Sequence, residues 1–348
     1  MRHRFPVLMA LESRLNCGWL NIRKAISKSA SKISYLQTAL FADGQQSLSP
    51  GASFVCFGSL ARAEWTLQSD LDWIMLIRGG SEEQHAIALQ TLTARLDETK
   101  EIGPAPGGMF GSTVLVANLT ASIRRPFSVR DLSVRLLLLL ESIAVGDDNP
   151  RKEAIHEILA AYLTYPNQHA DQTENISDLL LNDLASFGET MAVDFEQAPQ
   201  EQDGQKWGLR NAKRRFSRKL IIATGSLACL RWKLQYAELP PHGRPEAHNA
   251  IEYFEEYLAR PPLEILAAEV VQAKIPNSVA RRIFDTYDQF LGILDDADSR
   301  EHLARLPGHL ANTSALFRQV QAIGEEFGRE LYHLLNLARV ARCEVSRR

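Results

Sequence analysis

The N-terminal part of the chain alternates between helical and strand-like patterns of hydrophobic residues. Apolar positions at helical spacing predict helices over residues 12–41 and 82–99, and a short helix is predicted at 60–65. Three short runs rich in β-branched, aromatic and other apolar residues predict strands at 53–57, 71–77 and 113–117. Short strands alternating with helices predict a small α/β unit around one sheet.

After about residue 128 the hydrophobic pattern is helical, and we expect no further strand. Periodic apolar faces predict helices at 131–142, 153–163, 176–195, 209–236, 247–258, 278–294 and 315–342. The polar stretch 196–206 contains Pro and Gly and predicts a surface loop. We therefore expect an α+β fold in three parts: an N-terminal helical segment (1–49), an α/β domain with a small mixed sheet (50–127) and a C-terminal α-helical domain (128–348).

The amino-acid composition narrows the classes of function that the protein can have. Lys and Arg total 39 against 42 Asp and Glu, a net charge of −3, which argues against a protein that coats nucleic acid and restricts any such site to a local patch. The four cysteines are scattered and predict neither a zinc site nor a disulfide framework. The apolar run 136–140 is too short for a membrane span, and acidic and basic residues interrupt the apolar start of the chain. We expect a cytoplasmic protein without a membrane partner.

The candidate chemistry lies between the first two predicted strands. Gly58-Ser59 follows a strand, so its backbone N–H groups and hydroxyl can face a phosphate. Asp70 and Asp72 are two residues apart, and on a strand that spacing places both carboxylates on one face. Two carboxylates held close together favour a cation between them, and Mg²⁺ prefers carboxylate and phosphate oxygens. These parts suit in-line displacement at the α-phosphate of a nucleoside triphosphate.

The stretch from Gly58 to Asp72, GSLARAEWTLQSDLD, resembles the signature of the DNA polymerase β-like nucleotidyltransferase superfamily. It is most similar to the branch of uridylyl- and adenylyltransferases, with the pattern G-S-x-x-R-x-E-x-T-x-x-S-D-x-D, and stretches 107–111, 135–142, 180–195 and 207–220 are similar to uncharacterised bacterial members. The resemblance implies that Gly58 and Ser59 hold triphosphate and that Asp70 and Asp72 hold Mg²⁺ or Mn²⁺. It implies for Arg62 a loop-shaping role or a phosphate contact.

One expected feature of that superfamily is missing. Its members usually add a third carboxylate from a neighbouring strand, as general base or second-metal ligand, and the predicted strand at 113–117 has no acid. Acids elsewhere leave the choice open: Asp97, Glu98, Glu101, Asp131 and Asp194. Loss of a general base would cost about two to four orders of magnitude in rate. A catalytically degenerate, nucleotide-binding regulatory protein is therefore the alternative.

A basic segment is the second notable pattern. Residues 210–219 carry six cations above an apolar face formed by Leu209, Ala212, Phe216, Leu220, Ala223, Leu227 and Leu230. The helical spacing predicts one exposed stripe of Arg210, Arg214 and Arg218, with Arg215 and Lys219 together on a flank. Clustered cations favour an anionic partner. In relatives a helix of the second domain supplies cations to the triphosphate, and the resemblance assigns that role to Lys213, Arg214, Arg218 and Lys219.

The sequence thus predicts a metal-dependent nucleotidyltransferase that transfers NMP from an NTP, with ATP favoured, to a hydroxyl acceptor and releases pyrophosphate. Protein, tRNA and small-molecule acceptors all fit the signature, because acceptor choice depends on loops and the helical domain. A nucleic-acid-binding module that uses the basic segment alone is a third, weaker hypothesis.

Overall fold

The computed structural model describes residues 4–41, 49–66, 68–104, 108–123, 128–165, 172–201, 206–237 and 247–345. Within these ranges, the side chains of residues 172–175, 191–201, 236–237, 247–248 and 338–345 lie outside the description. The helices and strands in chain order are α1 (Pro6–Leu15), α2 (Leu20–Phe41), β1 (Ala52–Cys56), α3 (Gly58–Ala61), β2 (Trp73–Ile77), α4 (Glu82–Thr99), β3 (Ser112–Leu115), α5 (Val116–Ala121), α6 (Val129–Leu140), β4 (Ile143–Val145), α7 (Asn149–Leu163), α8 (Gln172–Glu201), α9 (Trp207–Lys213), a π-helical turn (Arg214–Arg218), α10 (Lys219–Ala237), α11 (Ala247–Leu258), α12 (Pro262–Gln272), α13 (Asn277–Asp295), α14 (Ala297–Arg305), a 3₁₀ helix (Gly308–Thr313) and α15 (Ala315–Val345).

The chain divides into two compact units, each built from separate stretches of sequence. The sheet unit comprises Ile26–Ile176 and Glu246–Ala259, and the helical unit comprises Met1–Ala25, Ser177–Pro245 and Arg260–Arg348. The fold class is α+β, with a mixed four-stranded sheet and a helical C-terminal region, as expected. The domain boundaries predicted from the sequence, at 49/50 and 127/128, stay a prediction.

The sheet has the strand order β3-β2-β1-β4. β1 runs antiparallel to both β2 and β4, with Phe54 opposite Met75, and β2 runs parallel to β3, with Ile74 opposite Ser112. Every residue of β1 and β2 is buried, which is why these central strands are apolar, apart from Ser53, and show no alternation of polar and apolar residues. The antiparallel β1–β2 pair positions the loop that connects them, and this loop carries the signature.

β4 overturns the expectation that no strand follows residue 128. Its three residues pair with β1 through Phe54↔Val145, Val55↔Ala144 and Cys56↔Ile143. The run is too short to show a strand period and directly follows the apolar helix α6, so the pattern of hydrophobic residues does not distinguish it. The third predicted strand is also shorter than expected, because the chain becomes helical at Val116, where α5 begins.

The helix predicted over residues 12–41 is two helices. Asn16 takes a left-handed conformation (φ 49°) and ends α1. The Glu12 carboxylate accepts a 2.7 Å hydrogen bond from the backbone N–H of Trp19, just before α2 begins at Leu20. By contrast, the predicted bounds of α4 and α11 are confirmed, and Ser81 and Gln84 form a reciprocal capping box at the start of α4.

An aromatic cluster lies at the centre of the helical unit. Phe216 stacks on Phe290 with ring centroids 4.3 Å apart and lies 5.3 Å from Phe327, and Tyr287 packs against all three rings.

Two helices of this unit, α12 and α14, were not predicted. The predicted loop at 196–206 is wrong for its first part, because α8 continues to Glu201. Residues 202–205 lie outside the description. In the described part of the chain, no helix has both the length and the apolar character needed to cross a membrane.

Candidate functional site

The loop between β1 and β2 folds back on itself through one helical turn. Gly58 begins α3 with φ +65°, and its carbonyl oxygen accepts a 3.0 Å hydrogen bond from the N–H of Arg62. The N–H of Glu64 donates to the carbonyl oxygen of Ser59 at 2.7 Å, and Ala63 also has a positive φ. These contacts hold Gly58 and Ser59, both half-buried, at the edge of the sheet where β1 ends.

Asp72 lies beside Gly58. The backbone N–H of Phe57 donates to the carbonyl oxygen of Asp72 at 2.9 Å, which extends the β1–β2 ladder by one residue. A Cβ atom added at Gly58 would lie 3.1 Å from Oδ2 of Asp72. The Asp72 carboxylate therefore occupies the space that a side chain at position 58 would need.

Asp70 and Asp72 flank a buried leucine. Leu71 is buried and its N–H donates to the carbonyl oxygen of Ile102 at 2.8 Å, whereas Asp70 and Asp72 are both half-buried. This alternation is that of an extended segment. The strand predicted at 71–77 begins two residues later than expected, since β2 comprises Trp73–Ile77. Both acids thus lie in the segment leading into the strand rather than on it.

The negative charge of Asp72 affects the pKa of a neighbouring core residue, Cys56. Burial raises the pKa of the Cys56 thiol far above its ordinary value, and the negative charge of Asp72 raises it further. Cys56 is the last residue of β1 and is fully buried. The thiol is therefore a neutral, inert core group.

The structure does not bring a third carboxylate to the pair within the described residues. No group of three or more His, Cys, Asp and Glu side chains that could hold a metal ion occurs among them. β3 contains no acid, and continuing its register with β2 by two residues places Phe110 beside Asp72. The N–H of Gly111 donates to the carbonyl oxygen of Trp73 at 2.7 Å, which supports that register, and the Phe110 ring lies 5.3 Å from the ring of Phe57.

The acids considered for the third position lie elsewhere. Asp97 and Glu101 line a cavity of about 290 Å³ together with Leu71 and Gly111. Glu101 forms an ion pair of 2.6 Å with Lys32, and Glu98 is an exposed residue of α4. Asp131 lies in the first turn of α6, where its N–H donates to the Ser128 hydroxyl. The side chain of Asp194 lies outside the description.

Arg62 is held between two buried carboxylates. Its Nε donates to Glu64 Oε2 at 2.8 Å, and its Nη1 donates to Glu141 Oε2. Arg62, Glu64 and Glu141 are 8%, 1% and 8% exposed. This cluster ties the loop after α3 to the end of α6, which fits the loop-shaping role. Sequence reasoning missed Glu141; its one signal is an acid directly after the unbroken apolar run of α6.

The basic segment is helical but not a continuous α-helix. Arg214–Arg218 form a π-helical turn between α9 and α10. A π turn adds a residue to each hydrogen-bonded ring, so the geometry of an unbroken α-helix does not hold through Arg214–Arg218. These three arginines are half-buried, and the expected exposed stripe is wrong. The expected apolar face is confirmed, since all seven of its residues are buried.

Two glycines of α15 accommodate the cations on one flank. The stem of Arg215 packs against Gly324, with its Cβ 3.0 Å from where a glycine Cβ would stand, and the end of Lys219 lies against Gly328. Arg215 Nη1 lies 4.0 Å from Glu325, and its Nε donates to Asn211 Oδ1 at 2.7 Å. Burial lowers the pKa of Lys219, and the positive charges of Arg215 and Arg214 lower it further. The expected pairing of Arg215 and Lys219 on one flank is confirmed.

Comparison with known proteins agrees with the signature. A family model described as "Putative nucleotidyltransferase DUF294" matches residues 21–109, about a quarter of the chain. The match spans α2, β1, α3, β2 and α4 and supports the nucleotidyltransferase superfamily. The narrower similarity to uridylyl- and adenylyltransferases stays a prediction. No curated protein matches the chain.

Proposed function

We propose that this protein is a metal-dependent nucleotidyltransferase that transfers NMP from an NTP to a hydroxyl acceptor. The observation that carries the proposal is the Asp72 carboxylate lying against Gly58, with half-buried Asp70 two residues before it and buried Leu71 between them. This arrangement combines a glycine-serine turn with a pair of half-buried carboxylates at the end of two central strands. The family match over residues 21–109 supports nucleotidyl transfer at a coarse level.

Asp70 and Asp72 would hold Mg²⁺ or Mn²⁺. Their carboxylate oxygens are the ligands that hard divalent cations prefer, and the missing Cβ at Gly58 lets the Asp72 carboxylate approach the turn. A cation bound here would neutralise negative charge on the triphosphate. Gly58 and Ser59 would seat the triphosphate through backbone N–H groups and the Ser59 hydroxyl. ATP is the favoured donor.

The reaction is a displacement at phosphorus. The acceptor oxygen forms a bond to the α-phosphorus while the bond from the α-phosphorus to the α–β bridging oxygen breaks. Pyrophosphate leaves with that electron pair, and the acceptor proton passes to solvent. Arg62 acts in this scheme as a positioning residue, since its two ion pairs with Glu64 and Glu141 fix the loop that follows Ser59.

The basic segment would neutralise the polyphosphate. Lys213, Arg214 and Arg218 are half-buried, and Lys219 has a pKa lowered by burial and by its cationic neighbours. An anion placed among these groups relieves their mutual repulsion, which supports a polyphosphate partner. The segment belongs to the helical unit and the signature to the sheet unit.

The test is a labelling experiment with the whole chain. Purified protein is incubated with each α-³²P-labelled NTP, Mg²⁺ or Mn²⁺, and cell extract, and the size of the labelled product identifies a protein, tRNA or small-molecule acceptor. Asp70→Asn combined with Asp72→Asn should abolish labelling and metal-dependent ATP binding. Asp147→Asn combined with Asp148→Asn, a pair of acids before α7, is the matched control and should retain both. ATP binding with Mg²⁺ that is as tight in the Asp70/Asp72 variant as in the wild type would refute the metal assignment.

A second candidate function is a catalytically degenerate protein that binds nucleotide and regulates a partner. The observation that favours it is Phe110, a residue without a titratable group, which lies two residues before β3 and, by the continued register, beside Asp72. This candidate predicts metal-dependent NTP binding without pyrophosphate release in any extract. Pyrophosphate release by the wild-type protein discriminates the two candidates, and Phe110→Asp should raise that release if the absent base limits turnover.

A further inference from the structure

We propose that Lys219 is a site of covalent modification, at which an acyl phosphate transfers its acyl group to the side-chain amine. Lys219 begins α10 and is exposed to solvent, so a small reagent can reach it. Its neighbours are the guanidinium of Arg215, four residues earlier, and Gly328 of the helix α15. The site thus combines a nucleophile with a cation that attracts phosphate.

The ammonium of Lys219 lies in a notch that Gly328 leaves in the surface of α15. The Cε and Cδ atoms of Lys219 are 3.5 and 3.7 Å from the place where a Cβ of Gly328 would stand, and Nζ is closer still. Arg215 occupies the corresponding notch at Gly324, with its Cδ 3.2 Å from the place of a Cβ there. Two cations four residues apart therefore lie against two glycines four residues apart, on one face of α15.

The two cations are only partly neutralised. Among the described residues, Glu325 is the one carboxylate whose charge acts on Lys219, and its Oε1 is 4.0 Å from Nη1 of Arg215. Within the same part of the chain, the Lys219 ammonium makes no hydrogen bond or ion pair, and Arg215 makes one hydrogen bond, from Nε to Asn211. The ammonium of Lys219 and the Nη groups of Arg215 are therefore available to an incoming anion.

The surroundings of Lys219 favour its neutral, nucleophilic form. Partial burial against α15 lowers the pKa of Lys219, and the positive charges of Arg215 and Arg214 lower it further, whereas Glu325 acts in the opposite direction. A lysine amine attacks an acyl carbon only when it has lost its proton. Because a lowered pKa increases the neutral fraction at pH 7, Lys219 should react faster than an ordinary exposed lysine.

The reaction is an acyl transfer. The nitrogen of the neutral amine forms a bond to the acyl carbon while the bond from that carbon to the phosphate oxygen breaks. The phosphate leaves with this electron pair and takes up the proton that the amine loses, so the products are an amide and inorganic phosphate. The Nη groups of Arg215 would hold the phosphate during the attack. Since the amide is neutral, the basic segment loses one of its six cations.

The experiment compares two lysines of the intact chain. Purified protein is incubated with acetyl phosphate and EDTA, without NTP, and the lysines that remain are then acetylated with deuterated acetic anhydride under denaturing conditions. Trypsin now cuts only after arginine and releases peptides 219–231 and 96–124, in which Lys219 and Lys100 are the single lysines. The ratio of light to heavy acetyl groups gives both rates. Lys219 should react at least about fivefold faster than exposed Lys100 at pH 7.

A neutral reagent separates attraction of phosphate from the reactivity of the amine. Phenyl acetate carries no charge, so its preference for Lys219 over Lys100 depends on the two amines alone. In low-salt buffer the preference measured with acetyl phosphate should be at least about twofold greater, and it should fall toward the phenyl acetate value as salt is added.

Variants of the neighbouring charges should change the rate in opposite directions. Arg215→Gln should slow acetylation of Lys219 about threefold or more, whereas Glu325→Gln, which removes an exposed carboxylate, should accelerate it. Glu326→Gln is the matched control, because Glu326 pairs with Arg282 and its charge does not act on Lys219, so the rate should stay at the wild-type value. Lys100 in the same samples is the internal reference.

Gly328→Ala tests the notch without altering a charge and serves if Arg215→Gln does not fold. The new Cβ would take the place of the Lys219 ammonium and move it into solvent, so the rate should fall toward that of Lys100. Three outcomes would overturn the proposal: a Lys219 rate no higher than that of Lys100, an equal preference with both reagents, or slower acetylation in Glu325→Gln. Because no metal or NTP is present, failure of this acylation would leave the proposed nucleotidyl transfer untouched.

Discussion

The carboxylate of Asp72 and the α-carbon of Gly58 are close neighbours across the turn that joins β1 to β2. Oδ2 of Asp72 is 3.1 Å from the place of a Cβ at residue 58, and the backbone of Gly58 has a φ of +65°. Two independent requirements, a left-handed backbone and space for a carboxylate, thus coincide at one residue. Any side chain at position 58 would therefore strain the backbone of the turn and would also displace the Asp72 carboxylate.

Gly58→Ala should therefore impair both stability and function. The strained backbone and the contact with Asp72 should cost about 1–3 kcal/mol of unfolding free energy and lower metal-dependent ATP affinity by at least about tenfold. Urea unfolding and calorimetric titration measure the two effects. Gly79→Ala is the control, because a Cβ there meets nothing within 4 Å. Equal behaviour of the two variants would show that Gly58 does not position Asp72.

Arg62→Met should destabilise the protein more than any surface charge substitution. It leaves Glu64 and Glu141 buried without their shared cation, and breaking a buried pair costs about 3–5 kcal/mol. Arg78→Met is the control, because Arg78 pairs with Glu153 and Glu157 at the surface, and its unfolding midpoint should stay near that of the wild type. If Arg62→Met kept wild-type stability and lost only ATP affinity, Arg62 would be a phosphate contact instead of a positioning residue.

Lys219→Gln should stabilise the protein while weakening its nucleotide binding. Because the pKa of Lys219 is lowered on folding, the folded state binds this proton more weakly than the unfolded state, and the charge opposes folding at neutral pH. The thermal midpoint of the variant should exceed that of the wild type at pH values below the pKa of Lys219 in the folded state. This difference should vanish as the pH rises through the ordinary lysine pKa. Lys24→Gln, on the exposed side of α2, is the control. A loss of stability at pH 7 would contradict the repulsion argument.

Cys56 should resist thiol reagents until β1 opens. Its pKa is raised by burial and by Asp72, so little reactive thiolate is present at pH 8. In a Cys17→Ser, Cys343→Ser background, labelling of Cys56 should follow the unfolding rate and slow further with Mg²⁺ and ATP, provided they bind at the neighbouring turn. Peptide mapping separates Cys56 from Cys229, which is also fully buried. Rapid labelling in native buffer would contradict the burial of β1.

The fold could be predicted where local pattern decides structure. The buried faces of α4 and α11 have clear helical periods, and β1 and β2 are largely apolar runs bounded by turns. β4 could not be predicted, because its pairing with β1 depends on a long-range contact and not on its three residues. The break between α1 and α2 depends on a single left-handed asparagine and a glutamate cap, which periodicity does not detect.

The candidate site was predictable only in its contiguous part. Gly58, Ser59, Asp70 and Asp72 belong to one short signature, whereas Glu141 reaches Arg62 from 79 positions along the chain. The π turn at Arg214–Arg218 likewise has no composition that marks it.

The path of the chain has a practical consequence for any attempt to isolate the nucleotidyltransferase-like portion. A recombinant fragment limited to the family match, 21–109, would lack β3 and β4, the two outer strands of the sheet. Extending it to Ile176 would still omit α11, which packs on α7 and whose Glu255 lies 2.9 Å from His156. Truncation would thus expose apolar surface and strand edges prone to aggregation, so biochemistry on this protein calls for the intact polypeptide.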